Sequence, residues 1–250
     1  MYREWAPDSR VAGRVACVWS NEATVTTTVT TTVTTTGTTP QLVVPDGCVD
    51  LIWGPGGAQV AGPDTGPKTV WMSPGDRYLG IRFRPGAAGG VFGVPLDSLR
   101  DLRVPLSELE PLRELSELAP FTGGPPEPVT DAVQRVLAVR MRTTSEPDPA
   151  ASAIAEALLA GRSVREVAWD LGLGERQLLR RSLRAFGYGP KTLQRVVRFQ
   201  RALRLARRGI AAAEVAVASG YADQAHMANE VRRLAGIPLG RLVGQSGDGY

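Results

Sequence analysis

Along the C-terminal part of the chain, apolar residues return every three or four positions, the period of a helix with one buried face. In SVREVAWDLG, Ser163 and Glu166 have the spacing of a reciprocal cap that opens a helix. Val164, Val167, Ala168 and Leu171 are its apolar positions, and Gly172 stops it. A second helix is expected from near Gly174, with Leu179, Leu183 and Phe186 inside and Gln177, Arg180, Arg181 and Arg184 outside, ending at Gly187 and Pro190. The plan then repeats. IAAAEVAVASGYADQAHMANEVRRLAG places Ile210, Val215 and Ala216 in one helix, Gly220 at its end, and a second helix from about Asp223 to Ala235 with Met227, Val231 and Leu234 inside. Between the repeats, residues 191–209 carry Leu193, Val196, Val197 and Leu203 at helical spacing, bounded by Pro190 and Gly209.

The first half reads differently. Short apolar runs at 15–19, 42–44, 48–53, 70–72 and 79–83, punctuated by Pro and Gly, predict strands, with Pro45-Asp46-Gly47 a turn between two of them. They predict a small barrel or sandwich. Residues 87–142 read as helical in AAGGVFGV, PLSELEPLRELSEL and DAVQRVLAVRM, broken at Gly123-Gly124-Pro125-Pro126. A threonine tract at 24–39 has valine at every fourth position and predicts a β-excursion with Val25, Val29 and Val33 on one face. The fold expected is α+β: a β-rich N-terminal domain with helices over 1–142, a linker at 143–149, an all-α domain over 150–243 starting with an alanine-rich helix at 150–161, and a flexible tail at 244–250.

Charge sharpens this division. From Gly161 onward there are 16 Lys and Arg against 7 Asp and Glu, a net of 16 − 7 = +9, and the remainder carries 13 − 18 = −5. A basic domain is the footprint of a polyanion binder, although arginines on helices also make an ordinary solvated face. Two short helices joined by a glycine turn, the second presenting Gln and Arg, match the helix-turn-helix plan in which the second helix enters a DNA major groove. Long donors on that face suit guanine and adenine edges and phosphates. The helix between the repeats, at about 1.5 Å per residue, is about 28 Å long, near the roughly 34 Å between successive major-groove faces.

Few residues are available for catalysis. His226 is the only histidine and sits beside the core position Met227, so packing at a helix edge or a phosphate contact is expected of it. Cys17 and Cys48 are the only cysteines, too few for a four-cysteine zinc site, and suit a reducing compartment. No enzymatic activity, cofactor or metal is expected. The N-terminus lacks the pattern of a signal peptide and no apolar run is long enough to span a membrane, so a cytoplasmic location is expected.

Residues 163 to about 243 resemble the DNA-binding domain of the AraC/XylS family of bacterial transcription regulators. The likeness lies in LGLGERQLLRRSLRAFGYGP and in GYADQAH with the helix after it. It implies groove-reading positions at Gln177, Arg180 and Arg181 in the first unit and at Gln224, Ala225 and Asn229 in the second, with Arg176, Arg184 and Arg232 beside them. VPDGCVDLIWG and GIRFRPGAAGGVFGVPLDSL resemble the N-terminal domain of one subgroup of that family, which implies a sensor or dimerisation domain. The expected partners are double-stranded DNA, a small-molecule effector, RNA polymerase and a second copy of the chain, with no membrane. Candidate ligand residues are Cys48, Trp53, Trp71, Arg82 and Arg84; the tryptophans also fit a packed core, and Arg82 and Arg84 could share one strand face as an anion site. Two alternatives stay open: a cysteine-based sensor or alkyl-acceptor repair protein fused to a DNA-binding domain, and a non-specific architectural DNA binder.

Overall fold

The computed structural model describes residues 1–23, 27–30, 33–118 and 127–244. Ten strands come first: β1 (Tyr2–Trp5), β2 (Val15–Glu22), β3 (Thr27–Thr30), β4 (Val33–Thr36), β5 (Thr39–Val43), β6 (Asp50–Gly54), β7 (Gly57–Ala61), β8 (Lys68–Met72), β9 (Arg77–Phe83) and β10 (Arg103–Pro105). Six of them form one antiparallel sheet in the order β1-β2-β9-β6-β7-β10, while β5 pairs with β8 and β3 with β4 in separate ribbons. No closed barrel forms among the described strands.

Alternation along the central strands gives the sheet two unlike faces. Leu51 and Trp53 of β6 and Leu79, Ile81 and Phe83 of β9 are buried on one side. They pack on Val91, Phe92 and Leu96, on Leu112 and Leu115, and on Val133, Leu137 and Met141. The last three belong to α2 (Glu127–Thr143), which follows a single-turn helix α1 (Arg113–Ser116). The opposite face carries Asp50 and Ile52 in register with Arg82 and Gly80. The β5–β8 ribbon covers it, tied to β2 where Asn21 Nδ2 donates to Gln41 Oε1 at 2.7 Å.

The C-terminal part is helical: α3 (Pro149–Leu159), α4 (Val164–Asp170), α5 (Glu175–Phe186), α6 (Pro190–Arg207), α7 (Ala212–Ala218), α8 (Gln224–Ala235) and α9 (Leu239–Gly244). These helices share a second core around Ile154, Leu178, Phe199, Val215 and Leu234, and Val44 from the strand region is buried in it.

The pattern misled in several places. AAGGVFGV forms turns with Gly89 and Gly93 at φ +57° and +74°, because its apolar residues Val91 and Phe92 plug the sheet instead of lining a helix. PLSELEPLRELSEL breaks into single turns, with Leu109 extended between the first two and Pro111, which has no N–H to donate, opening the second. The threonine tract turns back on itself, with Val29 opposite Thr34, so no single strand carries a valine face, and Val25 lies outside the described residues. The break at 123–126 and residues 245–250 of the tail also lie outside them. Ile210 precedes α7 instead of joining it. The segment read as a linker is held: Gly90 N–H donates to Ser145 O at 3.1 Å and Arg14 pairs with Glu146 at 2.6 Å.

Gly80 fixes the covered face. A Cβ there would lie 2.0 Å from the Trp19 indole, which rests on the glycine. Gly80→Ala is expected to cost on the order of 1–3 kcal/mol, the range for overpacking a tight site, read as a lower urea midpoint with unchanged slope.

Candidate nucleic-acid interface and a polar cavity

The two helix pairs, α4–α5 and α7–α8, are built alike. Ser163 Oγ accepts the Glu166 N–H at 3.2 Å and Glu166 Oε2 accepts that of Ser163 at 2.7 Å, closing the expected cap. Gly172 (φ +61°) and Gly220 (φ +80°) make the turns between helices, a backbone that a Cβ resists. Each second helix is then opened by its third residue reaching back. Gln177 Oε1 accepts the Gly174 N–H at 3.2 Å. In the other unit Asp223 Oδ1 accepts the His226 N–H at 2.7 Å, while His226 Nδ1 accepts the Ala222 N–H at 3.4 Å. His226 also sets its ring edge-on to Tyr221, centroids 5.4 Å apart. The lone histidine is thus a capping and packing residue, at the place Gln177 holds in the first unit.

The buried stripes correspond as well: Leu178, Ser182 and Phe186 in α5, and Met227, Val231 and Ala235 in α8. Of the expected stripe Phe186 is buried, but Leu178 takes the inner place given to Leu179, which is 45% exposed, and Leu183 is half-buried. The cause is a second contact surface. Leu179 and Leu183 line a groove with Asp97, Arg176, Arg180 and Arg184, formed where α5 lies against the single turn at Leu96–Leu99 of the strand region.

Of the expected DNA contacts, Arg176, Gln177, Arg180 and Arg184 are exposed on α5, and Gln224, Ala225, Asn229 and Arg232 on α8. Arg181 is different. It is half-buried and bonds Asp148 at 2.6 Å, the residue that caps α3 by accepting the Ala150 N–H. The matching residue of α8, Glu230, is also spent internally, on Arg195 at 2.6 Å. Arg233, which stands where Arg184 stands, is exposed as the sequence pattern also placed it.

Between the sheet and the β5–β8 ribbon lies a cavity of about 170 Å³. Tyr2, Trp19 and Tyr78 contribute aromatic walls; Asp46, Asp50, Asp64, Arg82 and Arg103 contribute charge. Arg82 forks onto Asp50 with Nε and a terminal nitrogen at 3.1 and 3.0 Å, and has a looser contact to Asp46 at 3.5 Å. Burial pushes the Asp50 carboxyl up against the pull of the Arg82 charge. Burial works against the charge of Arg82, yet Asp50 and Asp46 hold the guanidinium firmly protonated. Arg103 forks onto Asp64 at 3.1 and 2.6 Å.

Only Cys48 and Arg82 of the expected ligand residues reach this cavity. Trp53 points into the opposite core and donates its indole N–H to Leu115 O at 3.1 Å. Trp71 is 62% exposed on β8. Arg84 lies past the end of β9, where it is exposed and bonds Ala12 O at 3.2 Å, so no paired-arginine anion face forms. The carboxylates were missed, although a signal existed. Asp50 and Ile52 of β6, and Gln59 and Ala61 of β7, alternate with core residues, which places them on one face once both strands are assigned.

Burial, then the nearby Asp46, raises the Cys48 thiol well above its ordinary value, and burial pushes Cys17 up to about 11. Neither has the lowered pKa of a reactive thiolate. The described residues include no group of three metal-ligating side chains, and none of their helices is long and apolar enough to cross a membrane.

Comparison with known proteins agrees with this geometry. Residues 167–244 match the model of a helix-turn-helix domain, and residues 3–105 that of a domain of unknown function, DUF6597. No relative is found among curated proteins. Among solved structures, a probable AraC family transcriptional regulator from Rhodopseudomonas palustris aligns at 20% identity and TM-score 0.35, over 40% of this chain and 98% of that one. ToxT from Vibrio cholerae aligns at 10% identity and TM-score 0.44, over 83% and 97%. An unsaturated fatty acid bound ToxT aligns at 9% and 0.44, over 84% and 88%. The C-terminal part is a helix-turn-helix DNA-binding domain. It carries two such units on one linking helix, the arrangement expected of the AraC type.

The half-buried thiols, both raised above their ordinary range, give a direct check. At pH 8 iodoacetamide should modify Cys48 at least tenfold more slowly in the folded protein than in urea, read by intact mass. Rapid stoichiometric alkylation of the folded protein would revive the cysteine-sensor reading.

Proposed function

We propose that this chain binds specific DNA sites by placing α5 and α8 in two adjacent major-groove segments, and that a small molecule in the N-terminal cavity sets its affinity. The observation that supports the DNA reading is the repeated display of exposed donors, Arg176, Gln177, Arg180 and Arg184 on α5 and Gln224, Asn229, Arg232 and Arg233 on α8. Their two helices are held apart by α6, whose 18 residues span about 27 Å. Residues 1–142 act as the sensing domain and 150–243 as the DNA-binding domain, with 143–149 between them. RNA polymerase or a second copy of the chain joins the complex at the promoter.

Effector control is supported by the loop between β5 and β6. Asp46 and Cys48 line the cavity, while Pro45 O accepts from Gln200 Nε2 of α6 at 2.7 Å. Gly47 (φ +85°) lies against Tyr188, Leu193 and Val196, its Cβ direction 3.6 to 3.9 Å from their side chains. A ligand that moves the cavity wall therefore moves a contact of the linking helix.

Selection of bound genomic fragments by the purified protein, with affinities compared against scrambled DNA at two salt concentrations, should return one asymmetric motif spanning two groove segments. Equal affinity for scrambled DNA would make it an architectural binder. On that motif Arg180→Ala should cost about 1–3 kcal/mol and relax preference at one position, the signature of a base contact. Arg181→Ala should cost less DNA affinity and more folding stability, because Asp148 already holds that side chain.

A further inference from the structure

Resting on the reading of the cavity as an effector site, we infer that its ligand is a small organic cation, with the positive group at Asp46 and an aromatic or compact apolar body against Tyr2, Trp19 and Tyr78. The cavity holds three carboxylates and two guanidiniums in its lining. Arg103 is committed to Asp64 and Arg82 to Asp50, each through two short bonds. Asp46 is the carboxylate left over. Its Oδ1 accepts the Cys48 N–H at 2.8 Å, and Oδ2 has only the 3.5 Å contact with Arg82. An anionic ligand would meet this excess negative charge and find both arginine forks already used. A cation would complete the charge balance, and Tyr2, Trp19 and Tyr78 line the same walls.

The size of the cavity limits the ligand. The volume of about 170 Å³ is that of a space for one small ring with a short arm, given that a protein cavity of about 150 Å³ accommodates benzene.

The test is titration calorimetry of the full chain without DNA, using three probes of one shape: tyramine, tyrosol and 4-hydroxyphenylacetate, whose arms end in ammonium, hydroxyl and carboxylate. Tyramine should bind at least tenfold more tightly than either of the others. Asp46→Asn, which keeps the oxygen that accepts from Cys48, should weaken tyramine at least tenfold and leave tyrosol unchanged. Val70→Trp, which fills the cavity and alters no charge, should abolish tyramine binding. The inference is overturned if the carboxylate probe binds as tightly as tyramine, if the wild-type chain binds tyramine no better than tyrosol, or if Asp46→Asn leaves the preference intact. Because the wild-type comparison needs no variant, a misfolded variant does not protect the idea. The same probes added to the DNA-binding assay separate the two readings. Tyramine binding that leaves DNA affinity unmoved keeps the cation site and removes effector control, whereas DNA binding without any cation preference removes only the cation site.

Discussion

The segment from Val44 to Cys48 is shared by two cores, and the relation between the two halves of the molecule depends on it. Val44 ends a strand of the ribbon that covers the polar cavity, yet its side chain is buried with Phe199 and Leu193 among the helices. Two residues later Asp46 faces back into the cavity. Between them, Pro45 gives up its carbonyl to Gln200, and Gly47 adopts a left-handed backbone that brings the chain against Tyr188. Burying Val44 is worth on the order of 1.5–3 kcal/mol, and the bond to Gln200 adds about 1. These are modest energies. They hold the halves together while leaving the junction within reach of a ligand whose binding differs between two arrangements.

The cavity itself is costly to maintain. Arg82 sits among Asp50, Asp46 and the two cysteines with little access to water, and removing either partner of the Arg82–Asp50 pair would leave a buried charge alone. An apolar sheet face packed by the ribbon would serve stability at least as well. The register of β6 against β9 sets Asp50 directly across from Arg82 and Ile52 across from Gly80, so one strand pairing supplies both the ion pair and the floor on which Trp19 rests. Such a cost to stability is what the proposed ligand site would explain.

What could be seen in the chain beforehand followed the range of the interactions involved. The helices of the C-terminal half were readable because their signals are local: Ser163 with Glu166, Pro190 at the start of α6, and Gly187 and Gly236 in left-handed conformation after α5 and α8. The phase of α5 was not readable, because Leu179 faces a surface contributed by Leu96–Leu99, some eighty residues earlier. The cavity escaped for the same reason. Asp46 reads as a turn residue and Asp50 as one polar position within the strand run 48–53, and only the pairing of β6 with β9 and the crossing of the ribbon gather them with Asp64. Trp53 and Trp71 looked equivalent as aromatic strand residues, but one belongs to a central strand and the other to a two-stranded ribbon, which decides that the first is buried and the second exposed.

The two helix-turn-helix units share a scaffold and differ in their chemistry, and that difference bears on regulation. Both spend one residue of the second helix on a tie within the domain, Arg181 on Asp148 and Glu230 on Arg195, and both use the third residue of that helix as a cap. What remains outward is four long donors on α5, three of them arginine, against Gln224, Asn229 and two arginines on α8 with Ala225 between. In the proposed reading the first unit therefore supplies more phosphate attraction, and that contribution is the one most sensitive to salt. The first unit also meets the strand region: Asp97 lies in the groove with Arg176, Arg180 and Arg184, and Arg100 donates to the Gly187 carbonyl at 3.3 Å. The second unit approaches it at Gly236, next to Pro67. In the proposed reading, control applied through the Asp97 groove acts on the helix that carries most of the charge, and so on how tightly the protein holds DNA more than on which sequence it prefers.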